Sequence, residues 1–290
     1  MVWRLALSAA FLATLAFAGP ASADDLYGTL KKVNDSGKIV IGHNADSPPF
    51  SYIGANGKPE GYTIDLCHRV AEDVKKELKR PDLKIEYVSL TPVNRIPLLV
   101  NGTVDMVCAT TTNNFTRQRQ VDYLSTMYIS GARIITRADT GIKSLADLKG
   151  RPVTVNQGSS NEQIMKALDE QQKLGIRFIN TKDNPQAWAS LESSRSDAHV
   201  TDEPTAYGLV VASKQPDKYL VVPGPRLSFD PFAIVVRRDD SAFRLVGNKA
   251  LADLYRSGEI DKIYEKWLST IGMSMDPETK TLFKVQALPE

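Results

Sequence analysis

Apolar residues along this chain recur with two alternating periods. A short run, Lys38-Ile39-Val40-Ile41-Gly42, reads as a strand. Between 62 and 78, Ile64, Cys67, Ala71, Val74 and Leu78 fall three or four residues apart, which places them on one helical face directed at a sheet. Strand-like runs follow at 84–88 and 104–108, separated by a helix-sized stretch, 94–101, that Gly102 can terminate. After Arg133-Ile134-Ile135-Thr136 the alternation restarts, with strands at 151–155, 177–180 and 198–201 and helices at 160–174, 186–194 and 203–212. A strand at 232–237 and helices at 241–257 and 259–267 complete the pattern. Two α/β units without a Gly/Ser- or Pro-rich linker predict lobes that share hinges, with a ligand cleft between them. Open α/β sheets bind ligands beyond the carboxyl ends of their strands, so function is expected in the residues that follow each strand.

The first residues do not belong to this pattern. Arg4, the apolar run 5–17, Gly19-Pro20 and Ala21-Ser22-Ala23 have the layout of a secretory signal peptide, cleaved after Ala23. No later stretch is long and apolar enough to span a bilayer. Export to an oxidising compartment makes a Cys67–Cys108 disulfide the expected state of the two cysteines. With 36 Lys+Arg against 34 Asp+Glu, the net charge of +2 provides no field for nucleic acid. His43, His68 and His199 lack metal-ligand spacing and are expected to be structural, so neither metal nor cofactor is expected.

The chemistry lies after the strands. Residues 109–117, Ala-Thr-Thr-Thr-Asn-Asn-Phe-Thr-Arg, combine hydroxyls, amides and a guanidinium, a set suited to a carboxylate; the alternative is a capped turn with a solvent-facing Arg117. Asn156-Gln157-Gly158-Ser159-Ser160 repeats the arrangement in the second unit. Asp202 is placed to receive an ammonium group or to cap the helix that starts at Glu203. Phe50 and Tyr52 read either as an aromatic wall for a ligand or as a core pair.

Across nearly all of the chain after residue 23, the sequence resembles the periplasmic solute-binding proteins of amino-acid ABC importers, above all the glutamate/aspartate-binding subgroup. The segments that carry the resemblance are Gly61-Tyr62, Asp65-Leu66-Cys67, Asn94-Arg95-Ile96-Pro97, Asn101-Gly102-Thr103-Val104-Asp105, Thr110-Thr111-Thr112-Asn113-Asn114, Arg117-Gln118, Leu145-Ala146-Asp147-Leu148-Lys149-Gly150 and Arg237-Arg238-Asp239-Asp240. It implies the α/β type II periplasmic-binding fold, with one lobe from 24–131 and 232–290 and the other from 132–231. It implies a monomer that delivers a free amino acid to a membrane permease. It also implies that Arg117 clamps the α-carboxylate with Thr112, Asn156 and Ser159, that Asp202 takes the α-ammonium, and that Arg95 and Thr110 lie near the ligand side chain.

In acidic-amino-acid binders, the positions of Asn44, Pro92 and Asn184 would carry Arg, Ser and His. Losing those donors is expected to favour a neutral polar side chain such as an amide, since Asn44 and Asn184 both donate and accept, while Arg95 leaves an acidic amino acid as the alternative. The alternative is a cyclohexadienyl dehydratase on the same fold, with Glu203 as its acid; an enzyme is not expected, because no second acid or base accompanies it.

Overall fold

The computed structural model describes residues 26–289, so the expected signal peptide lies outside the described residues. Two five-stranded sheets carry the fold. In the first, Lys84–Leu90, Lys38–Asn44 and Met106–Cys108 run parallel, followed by Val235–Arg237 and Val121–Tyr123. In the second, Arg177–Thr181, Pro152–Asn156 and Ala198–Asp202 run parallel, followed by Ala132–Arg137 and Tyr219–Val221. Each sheet thus has three parallel strands and then an antiparallel one, Val235–Arg237 or Ala132–Arg137, that has just arrived from the other sheet. The chain makes both passages through a two-stranded ribbon in which Tyr128–Ser130 pairs with Asp230–Phe232. The described chain is therefore an α/β protein of the expected two-lobed type.

Helix Tyr62–Glu77 forms where the periodicity places it and buries Ile64, Leu66, Cys67, Val70, Ala71 and Val74 against the first sheet. Gly61 makes its entry possible. At φ 131°, a Cβ there would lie 2.4 Å from the Phe50 carbonyl oxygen, so only glycine lets the hairpin and the helix start meet. The Cys67–Cys108 disulfide ties this helix to Met106–Cys108, with the Cα atoms 6.3 Å apart.

The Phe50 ring is fully buried, 4.9–5.6 Å from the rings of Tyr62, Tyr128 and Phe232, and Tyr52 faces Trp267. Phe50 is therefore core, whereas Tyr52 is half-buried against Trp267; neither lines the cleft between the sheets. The second lobe closes its own core with Ile134, Val153, Val155, Met165 and Val200.

Two expected strands are shorter or divided. The run at 104–108 becomes a strand only at Met106, because the buried Asp105 carboxylate leaves the ladder to accept the Val40 N–H and to pair with Lys32 and Arg237. The run at 232–237 splits at Ala233-Ile234 between the ribbon and the first sheet. Helices Gly28–Ser36 and Pro277–Gln286 and the small sheet Asp46–Ser47, Ser51–Ile53 and Pro59–Glu60 are additions to the expected elements. Among the described residues, no helix is long and apolar enough to cross a membrane.

Candidate functional site

The carboxyl ends of the parallel strands of both sheets open on one cleft. Asn44 ends its strand, Thr110 follows Cys108, and Asn156 and Asp202 end theirs. Together with Arg95, Ser159 and Asn184, these residues line the cleft, as do Asp46, Thr91, Pro92, Asn161 and Asp183. The cleft is nearly shut, with about 30 Å3 open to a water-sized molecule. Thr112 and Arg117 stand immediately behind this wall.

Arg117 is buried, not solvent-facing. Asn114 caps the short helix Phe115–Gln118, while the Arg117 guanidinium donates to the Thr112 carbonyl at 2.9 Å and, across the cleft, to the Gly158 carbonyl at 3.4 Å. Thr112 also reaches across, with its Oγ1 2.9 Å from Ser160 Oγ and donating to Asp230 at 3.1 Å. Ser159 caps helix Ser160–Gln172 by accepting the Glu162 N–H. The residues expected to meet a carboxylate thus come from both lobes, with the Arg117 guanidinium linking them.

Arg95 opens helix Arg95–Val100 and is also buried. Its Nη1 donates to the Thr110 carbonyl at 2.8 Å and to Thr111 Oγ1 at 3.0 Å, but its buried Nε has no hydrogen-bond partner among the described residues. Burial, reinforced by the Arg117 charge, pulls its pKa down to about 9. An anion or a carbonyl oxygen in the cleft would relieve both costs.

Asp202 supplies the opposite charge. It stands at the start of helix Glu203–Ala212, yet its side chain makes no capping bond and accepts instead from Asn161 Nδ2 at 3.0 Å. Burial, with the negative Asp230 adding to it, raises the Asp202 carboxyl to about 7. A cation beside it would restore the ionised form.

The rest of the cleft is built from amides and acids. Asn44 Oδ1 accepts the Thr110 N–H at 3.3 Å. The Asn156 amide donates to Asn184 and accepts from Thr181. Asn184 in turn bonds to Asp46. His199 lies beneath them in full burial, which lowers its pKa to about 4, so it serves there as a neutral ring. Glu203, the candidate acid of a dehydratase, is held between Arg133 at 2.7 Å and Arg226 at 2.6 Å and is absent from the cleft lining.

Sequence reasoning missed Asp46, Asp183 and Asn161, which contribute two carboxylates and an amide to the cleft. The signal for Asn161 was present, because it opens a helix directly after the Asn156–Ser160 turn. Nothing in the sequence marked Asp46.

A profile of the bacterial extracellular solute-binding proteins, family 3, matches residues 39–270. The chain is 44% identical to the L-glutamate/L-aspartate-binding protein of Pseudomonas aeruginosa, over 91% of this chain and 87% of that protein. It is 36% identical to the glutamate/aspartate import solute-binding protein of Escherichia coli, over 95% of each chain. Among solved structures, an ancestral arginine-binding protein bound to glutamine superposes with a TM-score of 0.70 at 33% identity, covering 80% of this chain and 97% of that one. The cleft between the two sheets, its paired charges and these likenesses have one explanation: the chain belongs to family 3 of the bacterial extracellular solute-binding proteins.

Proposed function

We propose that this amino-acid-binding protein of an ABC importer holds an amide-bearing amino acid, glutamine or asparagine, in the inter-lobe cleft and presents it to its permease. The observation that carries the reading is the placement of Asp202 opposite the buried Arg95 and Arg117, an arrangement of charges complementary to a zwitterion. Arg117, with Thr112, Asn156 and Ser159, takes the α-carboxylate; Asp202 takes the α-ammonium; Arg95 Nε, Asn44 and Thr110 meet the side-chain oxygen. Asp183 gives the same end of the cleft a negative wall, the Asp46 carboxylate being engaged by the Asn184 N–H, and Asn44, Pro92 and Asn184 add no cation there. A second carboxylate on the ligand would face this negative wall with Arg95 as its main counter-charge, whereas an amide offers hydrogens to it. The names of the two relatives favour an acidic ligand, and the amide reading is a departure from them.

Export, cleavage after Ala23, a monomeric state and lobes of 24–131 plus 232–290 and 132–231 accompany this reading. The paired ribbon Tyr128–Ser130 and Asp230–Phe232 serves as the hinge. Binding is favoured over catalysis because Glu203 is neutralised by two arginines away from the cleft.

Calorimetry against the twenty amino acids tests the proposal, with glutamine or asparagine expected to bind more tightly than glutamate or aspartate. Preference for glutamate would overturn the amide assignment alone; failure of every amino acid would overturn the site. Asn44→Arg should shift the ratio toward glutamate by about 1–3 kcal/mol.

A further inference from the structure

We propose that Asn184 and Asp46 form a clasp across the cleft, which holds the lobes shut over the ligand and does not read its side chain. This rests on the reading of the cleft as the amino-acid site, and it assigns Asn184 a positioning role.

Asn184 begins helix Asn184–Glu192 in the second lobe. Its backbone N–H donates to Asp46 Oδ2 at 2.8 Å, and its Nδ2 donates to the Asp46 carbonyl at 2.9 Å and approaches Ser47 Oγ at 3.4 Å. Its Oδ1 accepts from Asn156 Nδ2 at 2.7 Å and lies 3.4 Å from His199 Nε2. A carboxamide has two hydrogens, and the Asp46 carbonyl and Ser47 Oγ take both. No donor remains for a ligand.

The backbone bond has a further consequence. The first N–H groups of a helix have no acceptor within it. Asp183 caps this helix by accepting the Gln186 N–H, and the acceptor for the Asn184 N–H comes from the other lobe. The helix start therefore gains its carboxylate partner only while the lobes are together, in a charge-assisted bond. The same loop is gripped from a second side, where helix Glu203–Ala212 comes so close that a Cβ on Gly208 would lie 2.6 Å from the Pro48 carbonyl oxygen. Asp46 thus sits on a segment held between two helices of the opposite lobe.

Stopped-flow dissociation of each bound amino acid, with ligand-free and ligand-bound melting, tests the clasp. Asp46→Ala and Asn184→Ala should each speed dissociation about tenfold or more, by a similar factor for every amino acid that the wild type binds. The order of preference should stand, the ligand-free melting temperature of Asp46→Ala should not move, and the double variant should be no worse than the poorer single one. Asp46→Asn keeps an acceptor for the Asn184 N–H and should restore most of the slow dissociation. It also carries the test if Asp46→Ala does not fold.

A changed order of preference would make Asn184 or Asp46 a reader of the ligand and overturn the clasp. Unchanged dissociation rates, or additive losses in the double variant, would overturn it as well. Absence of amino-acid binding by the wild type would instead remove the site reading, and the clasp with it.

Discussion

At the scale of single residues, the cleft is a problem of buried charge, and Asp202 shows it best. Its carboxyl stands at about 7 against an ordinary value of 3.8, chiefly through burial. Shutting the cleft without a ligand cation therefore draws a proton onto Asp202, and an ammonium group replaces that proton. An α-hydroxy analogue that lacks the amine should bind with proton uptake. Its affinity should fall as pH rises from about 4 and level off above about 7, at most about tenfold per pH unit. The amino acid itself should show no uptake, and calorimetry at pH 6 in buffers of different ionisation enthalpy separates the two; equal uptake for both would refute this role of Asp202. Arg117→Ala and Asp202→Ala should each cost every accepted amino acid ~3 kcal/mol, because each leaves one ligand charge enclosed without its partner. Wild-type affinity in either variant would remove that residue from the site. The positions of these groups were legible because they follow strands. The burial of Arg117 was not, since it depends on Gly158 arriving from the other lobe.

At the scale of elements, local pattern carried far where one face of an element is buried and failed where partners come from a distance. Helix Tyr62–Glu77 and strand Pro152–Asn156 emerge within a residue or two of their expected limits because their own side chains determine which face is covered. Strands Tyr128–Ser130, Val121–Tyr123 and Tyr219–Val221 have only three residues each, too few to show a period, and are defined by the strands beside them. Asp46 was invisible for the same reason, as its meaning lies 138 residues away at Asn184. The disulfide belongs to this scale because it joins a helix to a strand across 41 residues of chain. Closing a loop of that length should stabilise the fold by about 4 kcal/mol through restriction of the unfolded chain. Denaturant unfolding of Cys67→Ala/Cys108→Ala should show a loss of about that size, and an unchanged midpoint would mean that the link does not constrain the unfolded state.

At the scale of the whole molecule, the decisive question is whether the two lobes close on the ligand as a mechanical step, and Gly208 offers a test with effects of opposite sign. Hinge closure concentrates backbone rotation in few residues, here the paired segments Tyr128–Ser130 and Asp230–Phe232, and leaves each sheet intact. Small-angle scattering should therefore show compaction when a bound amino acid is added. Gly208 lies inside helix Glu203–Ala212, where alanine is favoured over glycine by roughly 0.5–1 kcal/mol when space allows. In the structure space does not allow it, because the new Cβ would meet the Pro48 carbonyl of the other lobe at 2.6 Å. Closure must then stop short or displace Pro48, while lobes that have parted feel only the better helix former. Gly208→Ala should accordingly melt at the same or a slightly higher temperature without ligand, bind amino acids at least about tenfold more weakly, and compact less in scattering. Loss of ligand-free stability would show that this contact persists in the unliganded protein, and full affinity with full compaction would show that the lobes do not meet at Gly208 when the ligand is bound.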